Sequence, residues 1–161
     1  MAATEDGRLH VYLLNVGQAD TSVVVSPEGR VIVIDATRPD KLLGLLQDLG
    51  LDGTIEHLII THPHMDHFSG GNRLAQVLSI EEATIAPFWH DFGMGPATYR
   101  RLIGRLDVQD TNCTFLSGYS RWYPDGAMTT PEDNQSPEID RDAPYLELLG
   151  PTNGLVRELE E

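Results

Sequence analysis

The sequence predicts an α/β fold, and three observations predict it. Three short β-branched and aliphatic runs follow one another at residues 9–16, 21–25 and 30–35, with only turn-like breaks between them. Leucines at 42, 45, 46 and 49 then recur at helical spacing. Beyond them, apolar strand-like runs alternate with stretches of helical periodicity to the end of the chain. At 161 residues and 40% hydrophobic content, the chain is expected to be one domain, residues 1–161, with a sizeable core.

Each element has its own local cause. Residues 1–7 are polar and read as a loose lead-in. Leu9 to Val16 reads as a strand buried on at least one face, broken by Gly17-Gln18-Ala19-Asp20. Thr21 to Val25 is a second strand, and Ser26-Pro27-Glu28-Gly29 places proline and glycine where a hairpin turn uses them. Arg30 to Asp35 is a third. Short links make these an antiparallel meander, and their nearly unbroken apolar character predicts a covered sheet. Pro39 to Leu49 is predicted as a helix with Gly50 as its C′ residue. His57 to Thr61 reads as a buried strand. Gly70-Gly71 then permits a tight turn into a helix from about Asn72 to Leu78, with Leu74, Val77 and Leu78 inward. Ala83 to Pro87 is a short strand. Gly95 to Val108 is a helix presenting Tyr99, Leu102, Ile103 and Leu106 on one face. Asn112 to Leu116 and Tyr145 to Leu149 are further strands. The Pro-, Asp-, Thr-, Ser- and Asn-rich stretch 125–144 reads as an exposed loop.

Composition limits the function classes. No apolar run approaches the length of a membrane span, and the first residues have neither a basic segment nor an apolar one, so no signal peptide is expected. Cys113 is the only cysteine, which excludes an internal disulfide and fits a reducing, cytoplasmic setting. The 25 acidic side chains against 11 basic ones leave a net charge of −14. Such a surface disfavours broad electrostatic affinity for nucleic acid, which remains admissible as a substrate if bound divalent ions supply positive charge locally.

The chemistry concentrates in Thr61-His62-Pro63-His64-Met65-Asp66-His67. Three imidazoles and a carboxylate within seven residues form a dense set of first-row metal ligands. Pro63 lacks an N–H for a helix, so the stretch reads as a loop in which His62 and His64 can converge on one ion. Asp66 and His67 can turn toward a second ion. Imidazole suits zinc, iron, copper or nickel, and the carboxylate leaves room for manganese.

This run resembles the T-H-x-H-x-D-H signature of the metallo-β-lactamase-fold hydrolases in residue type, order and spacing. Leu14-Asn15-Val16-Gly17-Gln18-Ala19-Asp20 resembles the "D-V-G-Q-G-D" segment of one branch, which includes the hydrolase domain of bacterial DNA-uptake (competence) channels. It departs at Asn15 and Ala19. Val31 to Asp35 resembles that branch's "I-L-I-D" strand, and Leu148-Leu149-Gly150-Pro151 its "L-x-P" strand. The resemblance implies an αββα sandwich and a dinuclear site that activates water for hydrolysis, with phosphodiesters the expected substrates. It assigns His62 and His64 to one ion and Asp66 and His67 to the other, with zinc expected first and manganese second. Asp66 would also orient the attacking water, while Asp35 and Asp20 would hold the ligands in place through hydrogen bonds.

In that family an aspartate in Gly-Asp bridges the ions, and a last histidine ligand lies further on. Neither follows here, so the chain is expected to represent the first half of the sandwich. The resemblance then leaves each ion two protein ligands, fewer than the three usual for catalytic zinc. A missing segment, a protein partner or self-association would complete the site. The alternative is a binding or structural subunit docked on a partner. Other residues carry weaker signals. His90 and Trp122 are candidate substrate contacts, with Trp122 and Tyr123 offering a ring platform beside Arg121. His57 is expected at a strand edge, His10 in a structural role and Cys113 as a core thiol.

Overall fold

A computed structural model of the chain describes residues 6–86, 96–115, 119–122, 128–129 and 146–149. Packing of the backbone divides it into two compact units, residues 1–115 and 116–161.

The first unit is built on a six-stranded mixed sheet. Strands β1 (His10–Leu13), β2 (Ser22–Val25) and β3 (Val31–Ile34) pair antiparallel in chain order, as the short turns require. Strands β4 (Thr54–Ile60), β5 (Ser79–Ile85) and β6 (Asn112–Phe115) continue the same sheet in parallel. Parallel pairing needs crossovers, and helices supply them. Helix α1 (Pro39–Leu49) leads from β3 to β4; the single turn α2 (Met65–Phe68) and α3 (Gly71–Val77) lead to β5; α4 (Pro96–Val108) leads to β6. The second unit contributes β7 (Tyr119–Trp122), β8 (Met128–Thr129) and β9 (Leu146–Leu149), antiparallel in the order β8-β7-β9.

Helix α1 starts and stops where its sequence directs. Pro39 occupies a first-turn position that needs no N–H partner, and Asp40 faces the positive end of the helix dipole. Gly50 closes it in the left-handed region at φ 71°. Leu42, Leu46 and Leu49 are buried, and Leu42 and Leu46 join Leu74, Ala75, Tyr99, Leu102 and Leu106 of α3 and α4 in one core with strand residues such as Val33, Leu58 and Ile85. Ile32 and Ile59, which alternate with these core residues along β3 and β4, are also buried. The central strands are thus covered on both faces, as their unbroken apolar runs predict. Gln109, just past α4, donates to the Ala75 and Leu78 carbonyls and accepts from the Ile80 amide, tying α3, β5 and α4 together.

Several expectations need correction. Strand β1 is the sheet's edge and is buried on one face as expected, with Tyr12 packed against the core, but Leu9, Val11 and Leu13 on the other face are 60%, 57% and 80% exposed, so the sheet is not covered on both faces there. β4 begins at Thr54 rather than His57, which places His57 inside a central strand and fully buried, not at an edge. β5 likewise begins at Ser79, before the expected Ala83. Residues after Pro63 do not stay a loop: His64 is extended at the N-cap position, and Met65–Phe68 coils into a helical turn once the proline is past. β7 was not foreseen, and within the stretch read as a loop at 125–144, Met128–Thr129 forms a strand. The remainder of that stretch lies outside the described residues.

Candidate metal centre

The histidine cluster lies beyond the carboxyl ends of β3 and β4, the edge of a parallel sheet where ligands are commonly held. Its anchor is Asp35. This residue directly follows β3, and its amide donates to the Ile59 carbonyl at 2.8 Å, continuing the ladder to β4. Its φ of 56° is left-handed, a conformation costing about 1–2 kcal/mol for most L-residues and tolerated best by Asn and Asp. From there the buried carboxylate reaches two segments far away in sequence. It accepts the Thr61 amide at 2.9 Å and the Thr61 hydroxyl at 2.7 Å. The same oxygen lies 2.7 Å from His67 Nδ1.

Backbone contacts pin the turn carrying His67. The Ala36 amide donates to the His67 carbonyl at 2.6 Å, and the Gly70 amide donates to the Ala36 carbonyl at 2.7 Å. Gly70 lies in the turn before α3, as expected, but with ordinary helical dihedrals, φ −81° and ψ −20°. A Cβ there would stand 2.8 Å from the Ala36 carbonyl oxygen and 2.9 Å from Pro39 Cδ. Glycine is required for close approach, not for a left-handed φ.

Within this frame three imidazoles cluster. The His62 ring centroid is 3.6 Å from that of His67 and 4.9 Å from that of His64. His67 is buried, His62 half-buried and His64 exposed. Asp66 is exposed, with its carboxylate 3.8 Å from His67 Nε2. Burial holds the His62 imidazole below its ordinary value, and the neighbouring His67 ring adds to the effect. Both push His62 toward the neutral form that a metal requires.

The donor set fits a divalent ion. His67 has Nδ1 on a carboxylate, the arrangement usual for a metal-binding histidine, and its Nε2 stands on the side of the exposed Asp66 carboxylate, 3.8 Å away. His62 has Nδ1 3.0 Å from the Thr61 hydroxyl and is poised in the same way. Among the described residues no three His, Cys, Asp or Glu side chains are already gathered tightly enough to hold an ion.

The other expected residues fall differently. Asp20 is exposed, and it is its backbone carbonyl that accepts a bond, from the Thr21 hydroxyl at 2.7 Å. Trp122 ends β7, in the second unit. His90 lies outside the described residues. His57 Nε2 is 2.8 Å from the Thr84 hydroxyl, across the β4–β5 pair. His10 Nε2 is 2.9 Å from the Asp6 carboxylate, consistent with a structural role. Cys113 is half-buried, and burial raises its thiol pKa. Thr61 is the residue whose part was missed: read as the end of a strand, it is the link between Asp35 and His62. Its place immediately before the first histidine was the available signal.

The whole arrangement — parallel strand ends, an aspartate behind the loop, and the histidine motif — has its counterpart in a known family. The metallo-beta-lactamase superfamily profile matches residues 14–156, and the chain belongs to that superfamily. Membership supports a hydrolase in general, in a superfamily whose members typically bind divalent metals. No curated protein matches the chain. Among solved structures, the crystal structure of a new diphosphatase from the PhnP family matches with 17% identity and a TM-score of 0.35. That match covers 60% of this chain and 36% of the other, so the chain spans about a third of that structure's length. Among the described residues no helix is long and apolar enough to cross a membrane.

Proposed function

We propose that the chain carries the histidine-rich part of a dinuclear hydrolase site, with His62, His64, Asp66 and His67 as metal ligands. The observation that carries this reading is the pair of oxygen partners on His67 Nδ1 and His62 Nδ1, which leaves both Nε2 atoms available to an ion. Zinc suits the imidazoles, and manganese is the second choice because of the carboxylate. Bound there, divalent ions supply Lewis acidity and activate water at neutral pH. Asp66, exposed beside the cluster, orients the water and accepts its proton. Asp35 holds the ligands in position. The proposed substrate is a phosphodiester, in nucleic acid or a nucleotide, a preference supported by the resemblance of residues 14–20 to the DNA-uptake branch. A net charge of −14 gives the protein no general affinity for phosphate backbones, so recognition falls to the site itself.

The test is metal retention. The protein is stripped with chelator, reloaded with zinc or manganese and desalted. About two ions per chain are expected, with loss in the His64→Ala, Asp66→Ala double variant. Hydrolysis of bis(p-nitrophenyl) phosphate should track the metal, and esters and β-lactams should be poor substrates. A protein that retains no ion in any association state would sink the reading.

A second reading has its own observation. The exposed apolar stripe of Leu9, Val11 and Leu13 lies on an open sheet edge, a surface on which another chain can pair. On this reading a partner protein or a second copy supplies the remaining ligands. Light scattering decides between them: metal retained only by an associated form favours completion in trans, and metal held by the monomer excludes it.

A further inference from the structure

We infer that Thr61 is a positioning residue that sets the tautomer of His62, relaying the carboxylate of Asp35 to a second imidazole. The argument is a count of protons. The Thr61 hydroxyl has one hydrogen, and its oxygen lies 2.7 Å from one Asp35 carboxylate oxygen and 3.0 Å from the other. A carboxylate only accepts, so that hydrogen is donated to Asp35. Turned the other way, it would leave two oxygens facing each other at 2.7 Å with nothing between them. The hydroxyl can therefore only accept from its third neighbour, His62 Nδ1, at 3.0 Å. His62 Nδ1 thus carries the proton, and its lone pair sits on Nε2.

His67 reaches the same state directly, by donating Nδ1–H to Asp35 at 2.7 Å. One carboxylate therefore dictates the tautomer of two histidines, one by contact and one through a hydroxyl. The geometry supports a rigid relay. The Thr61 backbone amide is bound to the same carboxylate at 2.9 Å, which holds the threonine while its side chain bridges. Threonine is the suitable residue at a strand end, since its β-branching restricts χ1 and keeps the hydroxyl aimed. A solvated imidazole favours the opposite tautomer, with the proton on Nε2, and would have to exchange it before binding an ion through that atom.

Only the consequence for metal affinity rests on the proposed function; the tautomer belongs to the metal-free chain. The test is therefore long-range 15N–1H NMR of the metal-free protein, labelled at histidine, near pH 8. Wild-type His62 is expected to show the pattern of Nδ1–H with an unprotonated Nε2. Thr61→Val, which keeps the shape and removes the hydroxyl, should shift His62 toward Nε2–H while His67 keeps its pattern, and Thr61→Ser should restore wild-type behaviour. Zinc affinity should fall about 10- to 100-fold in Thr61→Val and recover in Thr61→Ser. A wild-type His62 with its proton on Nε2, or a Thr61→Val spectrum unchanged at His62, would overturn the relay. The wild-type spectrum alone is decisive if the valine variant fails to fold. A correct tautomer without zinc binding would uphold the relay and sink the hydrolase reading instead.

Discussion

His57 illustrates how a single side chain can tie stability to pH. It is fully buried on β4, and desolvation lowers its pKa from 6.5 to about 4. Between those values the unfolded chain takes up a proton that the folded chain refuses, so protons favour unfolding and stability rises with pH. The stability at pH 7 should therefore be lost progressively as pH falls from about 6.5 toward 4, by up to about 3 kcal/mol at the low end. Urea titrations at pH 7 and pH 4.5, on wild type and on His57→Gln, would measure it. The variant should lose most of this slope, and an equal slope in both would assign the acid sensitivity elsewhere. Asp35 shows the converse economy, one buried carboxylate satisfied by three hydrogens from two segments, 26 and 32 residues away.

Glycines separate two effects at the scale of the element. Gly70 joins α2 to α3 where backbone meets backbone, and a methyl group there would collide with the Ala36 carbonyl. Gly70→Ala should cost about 1–3 kcal/mol, through displacement of the turn that carries His67. Gly44 lies inside α1 with open space where its Cβ would be. Gly44→Ala should stabilise by about 0.5–1 kcal/mol, since glycine is a poor helix former. Thermal melts of the two variants should move in opposite directions. A neutral Gly70→Ala would mean that α2 and α3 shift away from residues 36–39 without cost.

Legibility at this scale followed the range of the forces involved. Helix α1 was readable to the residue because proline, the leucine spacing and glycine all act locally. β2 and β3 were readable because unbroken β-branched runs have few other uses. The first residues of β4 were not, since Thr54-Ile55-Glu56 is half polar and is recruited by pairing Thr54 with Ser79 and Ile55 with Ile80 of β5. Helical turn α2 was hidden by Pro63, whose effect ends one residue later than the chemistry begins.

The charge of the whole molecule is unevenly spread. Helices α3 and α4 carry Arg73, Arg100, Arg101 and Arg105 against Asp107 alone, within a chain of net charge −14. Elsewhere the acidic excess is correspondingly greater, and binding of divalent ions would reduce it. On the proposed function, zinc at 100 times its dissociation constant should add about 2.7 kcal/mol to stability. For a chain of this length that is a rise of roughly 5–10 °C in Tm, reversed by chelator. Differential scanning calorimetry with and without zinc checks it; an unchanged Tm at saturating zinc would count against a resident metal.

The sequence by itself determined the identity and order of the candidate ligands, the strand that delivers them and the α/β character of the domain. These follow from residue type and from spacings of a few positions, which act within one segment. The resemblance had already put Asp35 behind the ligands; only the tertiary structure decided that its carboxylate reaches His67 directly, that Thr61 connects it to His62, and that His57 is enclosed rather than at an edge. Those facts depend on β3 pairing with β4 and on α2 folding back over residues 36–39. A hydrogen bond between residues 26 or 32 apart leaves no local pattern, because its geometry exists only once the strands between have found their register.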